Sequence, residues 1–282
     1  PYKIALVLWS VAGVAALAAV LWKVLRDPVV VGSLLVFPAV SLCLINGQSG
    51  LFLAALLGGG LVLLDRRPWL AGVLLGVATV KPQLLLLVVP CLLLGRHWRA
   101  LAGLGGAFLA LAILSVGVFG AATWGAFLDH VVGGVNILEQ VRPLERMPSV
   151  FVAGSLAGLS RNAAAALQAA VAVLLLVTVG RLWLHRSPIA MRGSALLFAA
   201  PLVTPYSFDY DLSVLTVALA WLAVEVCRRG WLRGEKVLVT LLWVSPIAGW
   251  LIAMRTGLLL TPLVLLAWVW SVARASRMEA AV

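Results

Sequence analysis

Residues 69–94 read WLAGVLLGVATVKPQLLLLVVPCLLL, apolar from end to end except for Lys81-Pro82-Gln83 at the centre. Arg66 and Arg67 precede the stretch, and Arg96 and Arg99 follow it. Cations beside apolar runs favour the cytoplasmic face, so both ends belong on one side. A single straight helix would put them on opposite sides. Two helices of about 12 residues rise only about 18 Å each, against a hydrocarbon core of about 30 Å. The stretch therefore predicts two short helices joined at Lys81-Pro82, with the turn ending inside the membrane. A lysine at that depth needs a wet cavity or an anion. The alternative is one proline-kinked helix with Lys81 snorkelling.

Composition agrees with a membrane solvent. Of 282 residues, 63% are hydrophobic and 11% charged, with mean hydropathy +1.12; a soluble domain has about 45–50% and about 25%. A soluble enzyme, a disordered chain and a coiled coil are excluded. The net charge of +11 comes from 21 Lys+Arg against 10 Asp+Glu. These cations punctuate apolar runs, with no nucleic-acid-binding motif among them, so no nucleic acid is expected as partner. Cys43, Cys91 and Cys227 sit in apolar segments and read as small buried hydrophobes. The chain enters an apolar run almost directly after Pro1, with no signal-peptide pattern, and reads as starting part-way through a protein.

Eleven apolar runs follow one another: 4–25, 29–45, 49–64, 69–80, 83–94, 100–120, 163–184, 189–204, 212–227, 236–252 and 257–273. Asp27-Pro28 and Ser187-Pro188 each place an N-cap residue before a proline at the first helical position. Assigning the basic breaks to the cytoplasm puts fifteen of the 21 cations there, with the N-terminus outside and the C-terminus inside. The expected fold is all-α: one transmembrane domain over 1–282, a polytopic bundle of about 11 transmembrane segments. The outer loop 121–162 adds an amphipathic interfacial helix, with Thr123 as N-cap and Trp124, Phe127, Leu128, Val131, Val132 and Val135 on its apolar face. A polar run (Glu139, Gln140, Arg142, Glu145, Arg146) follows it, and then 149–159, too short to span and read as re-entrant.

Four polar clusters fall on the outer side: Asn46-Gly47-Gln48, Lys81-Pro82-Gln83, the 139–149 loop, and Thr204 through Asp211. The cytoplasmic breaks read as plain basic caps. One-sided polarity on short helices points to an outward-facing cavity for a polar, anionic, membrane-borne substrate. Each cluster also has a plainer use. Asn46-Gly47 suits a turn, Asp211 a helix cap, and Tyr206 and Tyr210 the interfacial aromatic belt. His130 reads as solvated, and His97 and His185 as parts of basic ends. The three histidines share no spacing, so no metal site is assigned. Arg255 in a short outer turn reads either as a headgroup contact or as a site residue.

In this order the clusters resemble glycosyltransferase family 87, bacterial multi-pass proteins related to polyprenyl-phosphate-mannose-dependent mannosyltransferases with a GT-C membrane fold. The resemblance runs through most of the chain. It rests on Pro1-Tyr2, Ala5, Leu6 and Trp9, Asn46-Gly47-Gln48, and the Ala71 to Gly76 run leading to Lys81-Pro82-Gln83. Further along, it rests on Arg96-His97-Trp98-Arg99, Met147, Ser149-Val150-Phe151, and Thr204-Pro205-Tyr206 with Asp209-Tyr210-Asp211-Leu212. It implies a polyprenyl-phosphate sugar donor and a lipid or glycan acceptor. It implies inverting transfer on the periplasmic face of the bacterial inner membrane. It also implies a catalytic aspartate in the family's first outer loop, which would lie before Pro1, so residues 1–282 alone are expected to be inactive.

Such chemistry needs a carboxylate to take the acceptor proton and cations where charge builds on the leaving phosphate. Lys81 is the expected phosphate contact. Asn46, Gln48, Gln83, Ser149, Tyr206, Asp209, Tyr210 and Asp211 are expected around the substrate, with Arg142, Arg146 and Arg161 as further headgroup or phosphate contacts. No cofactor is assigned; a divalent metal on Asp209 and Asp211 stays open. The competing reading is a transporter or flippase of a lipid-linked or anionic substrate, with Lys81 and the aspartates binding cargo or relaying protons.

Overall fold

Proline sets many of the helix starts. Pro28, Pro38 and Pro68 each occupy the first helical position, where a missing N–H costs nothing. Asp27 Oδ1 accepts from Val29 N at 2.8 Å and Val30 N at 3.1 Å. The computed structural model describes residues 1–132 and 143–279, leaving aside the side chains of 130–132 and 277–279. Its helices are α1 (Tyr2–Leu25), α2 (Pro28–Leu35), α3 (Pro38–Ile45), α4 (Gly50–Leu63), α5 (Pro68–Val77), α6 (Val88–Leu94), α7 (Trp98–Phe119), α8 (Ala121–Val132), α9 (Val150–Leu156), α10 (Arg161–Leu184), α11 (Ile189–Val203), α12 (Leu215–Arg229), α13 (Glu235–Thr256) and α14 (Thr261–Glu279). No strand occurs among the described residues.

The count of eleven crossings is not supported. Among the described residues five helical segments are long and apolar enough to span, and α2 with α3, bent by 54°, makes at most a sixth. Other apolar runs form helices of 10–17 residues, including Gly50–Leu63, Ile189–Val203 and Thr261–Ser276. At 1.5 Å per residue a 15-residue helix covers about 22 Å, short of the ~30 Å core.

Residues 69–94 form α5, 3-10 turns at Ala78–Val80 and Pro82–Leu85, and α6. Pro68 and residues 95–99 line one cavity, so the chain goes in and returns to the end it left. Glycines press α5 onto α7. A Cβ on Gly72 would collide with the Ala100 carbonyl, and one on Gly76 would lie 2.6 Å from Leu104 O. Small residues permit this backbone contact where lipid gives helices no hydrophobic reason to associate.

α11 runs through the centre, buried from Met191 to Leu202. The outer surface is apolar: Ile113 is 72% exposed and Phe119 68%, untenable in water over such a patch but ordinary in lipid. The helix expected after Gly120 is present as α8. Thr123 lies within it and donates to Phe119 O at 2.8 Å, because the helix starts at Ala121. Val135, Glu139, Gln140 and Arg142 lie outside the described residues, as do the side chains of His130, Val131 and Val132. The 149–159 segment yields α9, which Gln168 on α10 anchors by accepting from Phe151 N at 3.0 Å. Ser187 does not cap α11; it pairs with Ser276 at 3.1 Å, and Pro188 precedes the helix. Cys43 and Cys91 are buried as expected, but Cys227 is exposed, being near the end of α12.

Candidate functional site

Three breaks between short helices converge. The first is the turn after α3, where Gly47 takes φ +61°, a conformation that suits glycine. Cys43 Sγ (3.1 Å) and Trp9 Nε1 (3.4 Å) both donate to Gln48 O and fix it. Gly50 then lets this turn press against the third break. A Cβ there would lie 2.8 Å from both Ser213 Oγ and Tyr210 O. The second break is Lys81, held between two 3-10 turns. The third is the extended segment 204–208 and the 3-10 turn Asp209–Val214.

Two ion pairs tie the breaks together. Lys81 Nζ lies 2.7 Å from Asp211 Oδ1 and 4.7 Å from the centre of the Tyr210 ring. Arg146 grips Asp209 with Nε to Oδ2 at 2.7 Å and Nη2 to Oδ1 at 3.0 Å, a bidentate fork. Its Nη1 reaches Asn46 Oδ1 at 3.4 Å. The hydrogen bonds to Asp209 raise the Arg146 guanidinium above its already high ordinary pKa, so it stays charged.

The pairs share a polarity. The Lys81 and Arg146 side chains are 18% and 23% exposed, whereas Asp211 and Asp209 are 2% and 4%. Carboxylates lie beneath and cations face outward, pre-aimed at an incoming anion. Asp211 has a second duty: its Oδ2 accepts from Phe208 N at 3.1 Å, reaching back to the start of the 3-10 turn that contains it rather than capping a helix that begins at Leu212. Phe208 stacks on Tyr210 at 5.2 Å and meets Tyr206 edge-on at 5.7 Å, forming an aromatic wall beside the cations.

Thus Lys81, Asn46, Asp209, Tyr210 and Asp211 come together, with Tyr206 at the wall's far end. Gln83 is half-buried without a side-chain hydrogen bond among the described residues. Gln48 contributes its carbonyl to the turn. Ser149 departs from the expected sugar contact: it is fully buried, and its Oγ accepts from Val152 N at 3.2 Å as the cap of α9. Arg255 ends α13, exposed. A metal on Asp209 and Asp211 fits poorly, since each carboxylate already holds a cation. Phe208 was missed, although the Tyr-x-Phe-x-Tyr alternation at 206–210 signals an extended aromatic face. The plain basic caps also need correction: Arg192 is 5% exposed and bonds Asp65 at 2.9 Å.

Comparison with curated proteins gives no match, and neither does comparison with solved structures. The family description "Glycosyltransferase family 87" matches residues 1–205, which carry Asn46, Lys81 and Arg146 and stop just before Tyr206. On a match over most of its length, in an all-helical chain with several apolar spans, the chain belongs to glycosyltransferase family 87, the membrane glycosyltransferases its sequence order resembles.

Proposed function

We propose that the Lys81–Arg146 mouth takes a polyprenyl-phosphate sugar, a mannose-like hexose, and passes the sugar with inversion to a lipid or glycan acceptor on the periplasmic face of the inner membrane. The observation that carries this reading is the pair of outward cations on buried carboxylates, Lys81–Asp211 and Arg146–Asp209. The acceptor oxygen attacks the anomeric carbon as its bond to the phosphate oxygen breaks. Charge then builds on the leaving polyprenyl phosphate, where two fixed cations stabilise it most. The aromatic wall offers a face to the sugar ring. An apolar cavity of about 500 Å³ between α1, α4 and α5 is lined by Trp9, Phe52, Leu56, Leu74 and Val80. It adjoins Lys81 through Val80 and suits the prenyl chain.

Both aspartates at the mouth are held by cations, which suits them to positioning rather than proton abstraction. The group that takes the acceptor proton is then a separate carboxylate. Robust transfer by residues 1–282 would assign the base to Asp209 or Asp211. Transport is the weaker reading, since fully buried Leu57, Leu61, Leu75 and Phe198 offer cargo no polar path.

The test is sugar transfer by an active form of the protein. Lys81→Ala lowers kcat by about 10²–10³-fold. It also leaves Asp211 buried and unpaired, which costs about 3–5 kcal/mol. Lys81→Ala/Asp211→Asn removes that orphan charge, so it recovers stability but not activity. Wild-type rates in the double variant would remove the phosphate role.

A further inference from the structure

At the opposite end of α4, α5 and α11 from Lys81 lies a second site, which the glycosyltransferase reading does not use. Asp65, Pro68, residues 95–99 and 186–189, and Arg192 surround a cavity of about 570 Å³. Arg96, Arg99, Arg186 and Arg192 line it, against Asp65 as its one carboxylate. Asp65 pairs with Arg192. No carboxylate pairs with Arg96, Arg99 or Arg186 among the described residues. Four guanidiniums around one carboxylate make a strongly positive hollow.

The backbone brings helix ends of both signs. The N-termini of α5, α7 and α11 open onto the cavity at Pro68, Trp98 and Ile189, and the C-termini of α4, α6 and α10 close beside it at Leu64, Gly95 and Arg186. A helix N-terminus is positive and ordinarily takes an acidic residue. None of these three first turns carries one, and α7 and α11 place Arg99 and Arg192 there instead. Arg96 and Arg186 complement the C-termini they follow, while N-termini such as these three bind phosphate through their free N–H groups.

The floor is built. Trp183, fully buried, donates from Nε1 to Arg192 O at 3.1 Å. The Arg192 guanidinium lies 4.9 Å from the centre of the Trp183 ring, and His97 meets the same ring edge-on at 5.8 Å. Arg192 Nε and His97 Nε2 are buried and have no partner among the described residues. Arg96 and Arg186 hold φ of 58° and 52°, left-handed backbone that favours glycine. Each closes a helix C-terminus, Arg96 that of α6 and Arg186 that of α10, and so brings its charge to the cavity.

We propose that this cavity binds a phosphate-bearing anion, either the headgroup of an anionic lipid or a soluble phosphate compound, through Arg96, Arg99, Arg186 and Arg192. Arginine suits the planar, multidentate recognition of phosphate oxygens, and Trp98 at the rim is 61% exposed, as an interfacial residue is.

The test uses the protein in phosphatidylcholine nanodiscs. One arm titrates inorganic phosphate against chloride at matched ionic strength and follows tryptophan fluorescence. The other adds phosphatidylglycerol to the bilayer and counts retained lipid by native mass spectrometry. Arg96→Gly/Arg186→Gly removes two charges and relieves two left-handed residues, so it keeps or raises Tm and weakens binding at least 10-fold. Binding of inorganic phosphate assigns a soluble phosphate compound; retention of phosphatidylglycerol alone assigns the headgroup. Binding in neither arm, or undiminished binding by the glycine variant, overturns the proposal.

Discussion

Asp211 shows how much one side chain settles at the residue scale. One oxygen holds Lys81 and the other caps the turn at Phe208, so the charge that stabilises the lysine also shapes the segment carrying Tyr210. His97 offers a measurable counterpart at the other end. Burial holds its imidazole below the ordinary value of 6.5; Arg192 and Arg186 push the same way, and Asp65 opposes them. Asp65→Asn therefore lowers the His97 pKa further and Arg186→Gln raises it, as followed by an ¹⁵N imidazole titration; two unmoved values would contradict this. Where the folded pKa of a base is depressed, the unfolded chain takes up its proton first. Acidification below 6.5 therefore removes stability through this residue.

Among elements, the contact of α5 with α7 is the most sensitive to added volume. Gly72→Val drives a branched side chain into the Ala100 backbone and separates the helices. Overpacking of this kind costs about 1–3 kcal/mol, read as a lower Tm, whereas Gly105→Ala, on α7 with open space around it, keeps or raises Tm. The in-and-out course of residues 69–94 was legible because cations bracket both ends of an apolar stretch, a signal independent of partners. The number of spans was not, since an apolar run reads alike whether it faces lipid or a neighbouring helix, and only packing separates α11 from α7. The site divides likewise. Lys81, Asp209 and Asp211 stood out as polar residues in apolar surroundings. Their pairing did not, because Lys81 finds its partner 130 residues away and Arg146 finds its own 63 residues away. Arg192 was hidden for the same reason, since nothing local distinguishes a buried arginine from one that marks topology.

Across the whole molecule the two polar ends are separated by the apolar length of α4, α5 and α11, and Arg66 and Arg99 stand at the same end. With Cys227 replaced by serine to remove the exposed thiol, Arg66→Cys and Arg99→Cys each react with an impermeant maleimide from one side of a sealed vesicle, and it is the same side. Labelling from opposite sides would require residues 69–94 to cross. The short helices also bear on how the protein is made. A segment of 10–15 residues is a poor substrate for independent release into a bilayer, so α4, α5 and α11 enter lipid only as longer neighbours close around them. Membrane insertion and tertiary folding are then one event in the centre of this protein. A glycine that fails to seat against α7 would be met first by the insertion and quality-control machinery, as lost yield, before any purified sample could display a lowered melting point.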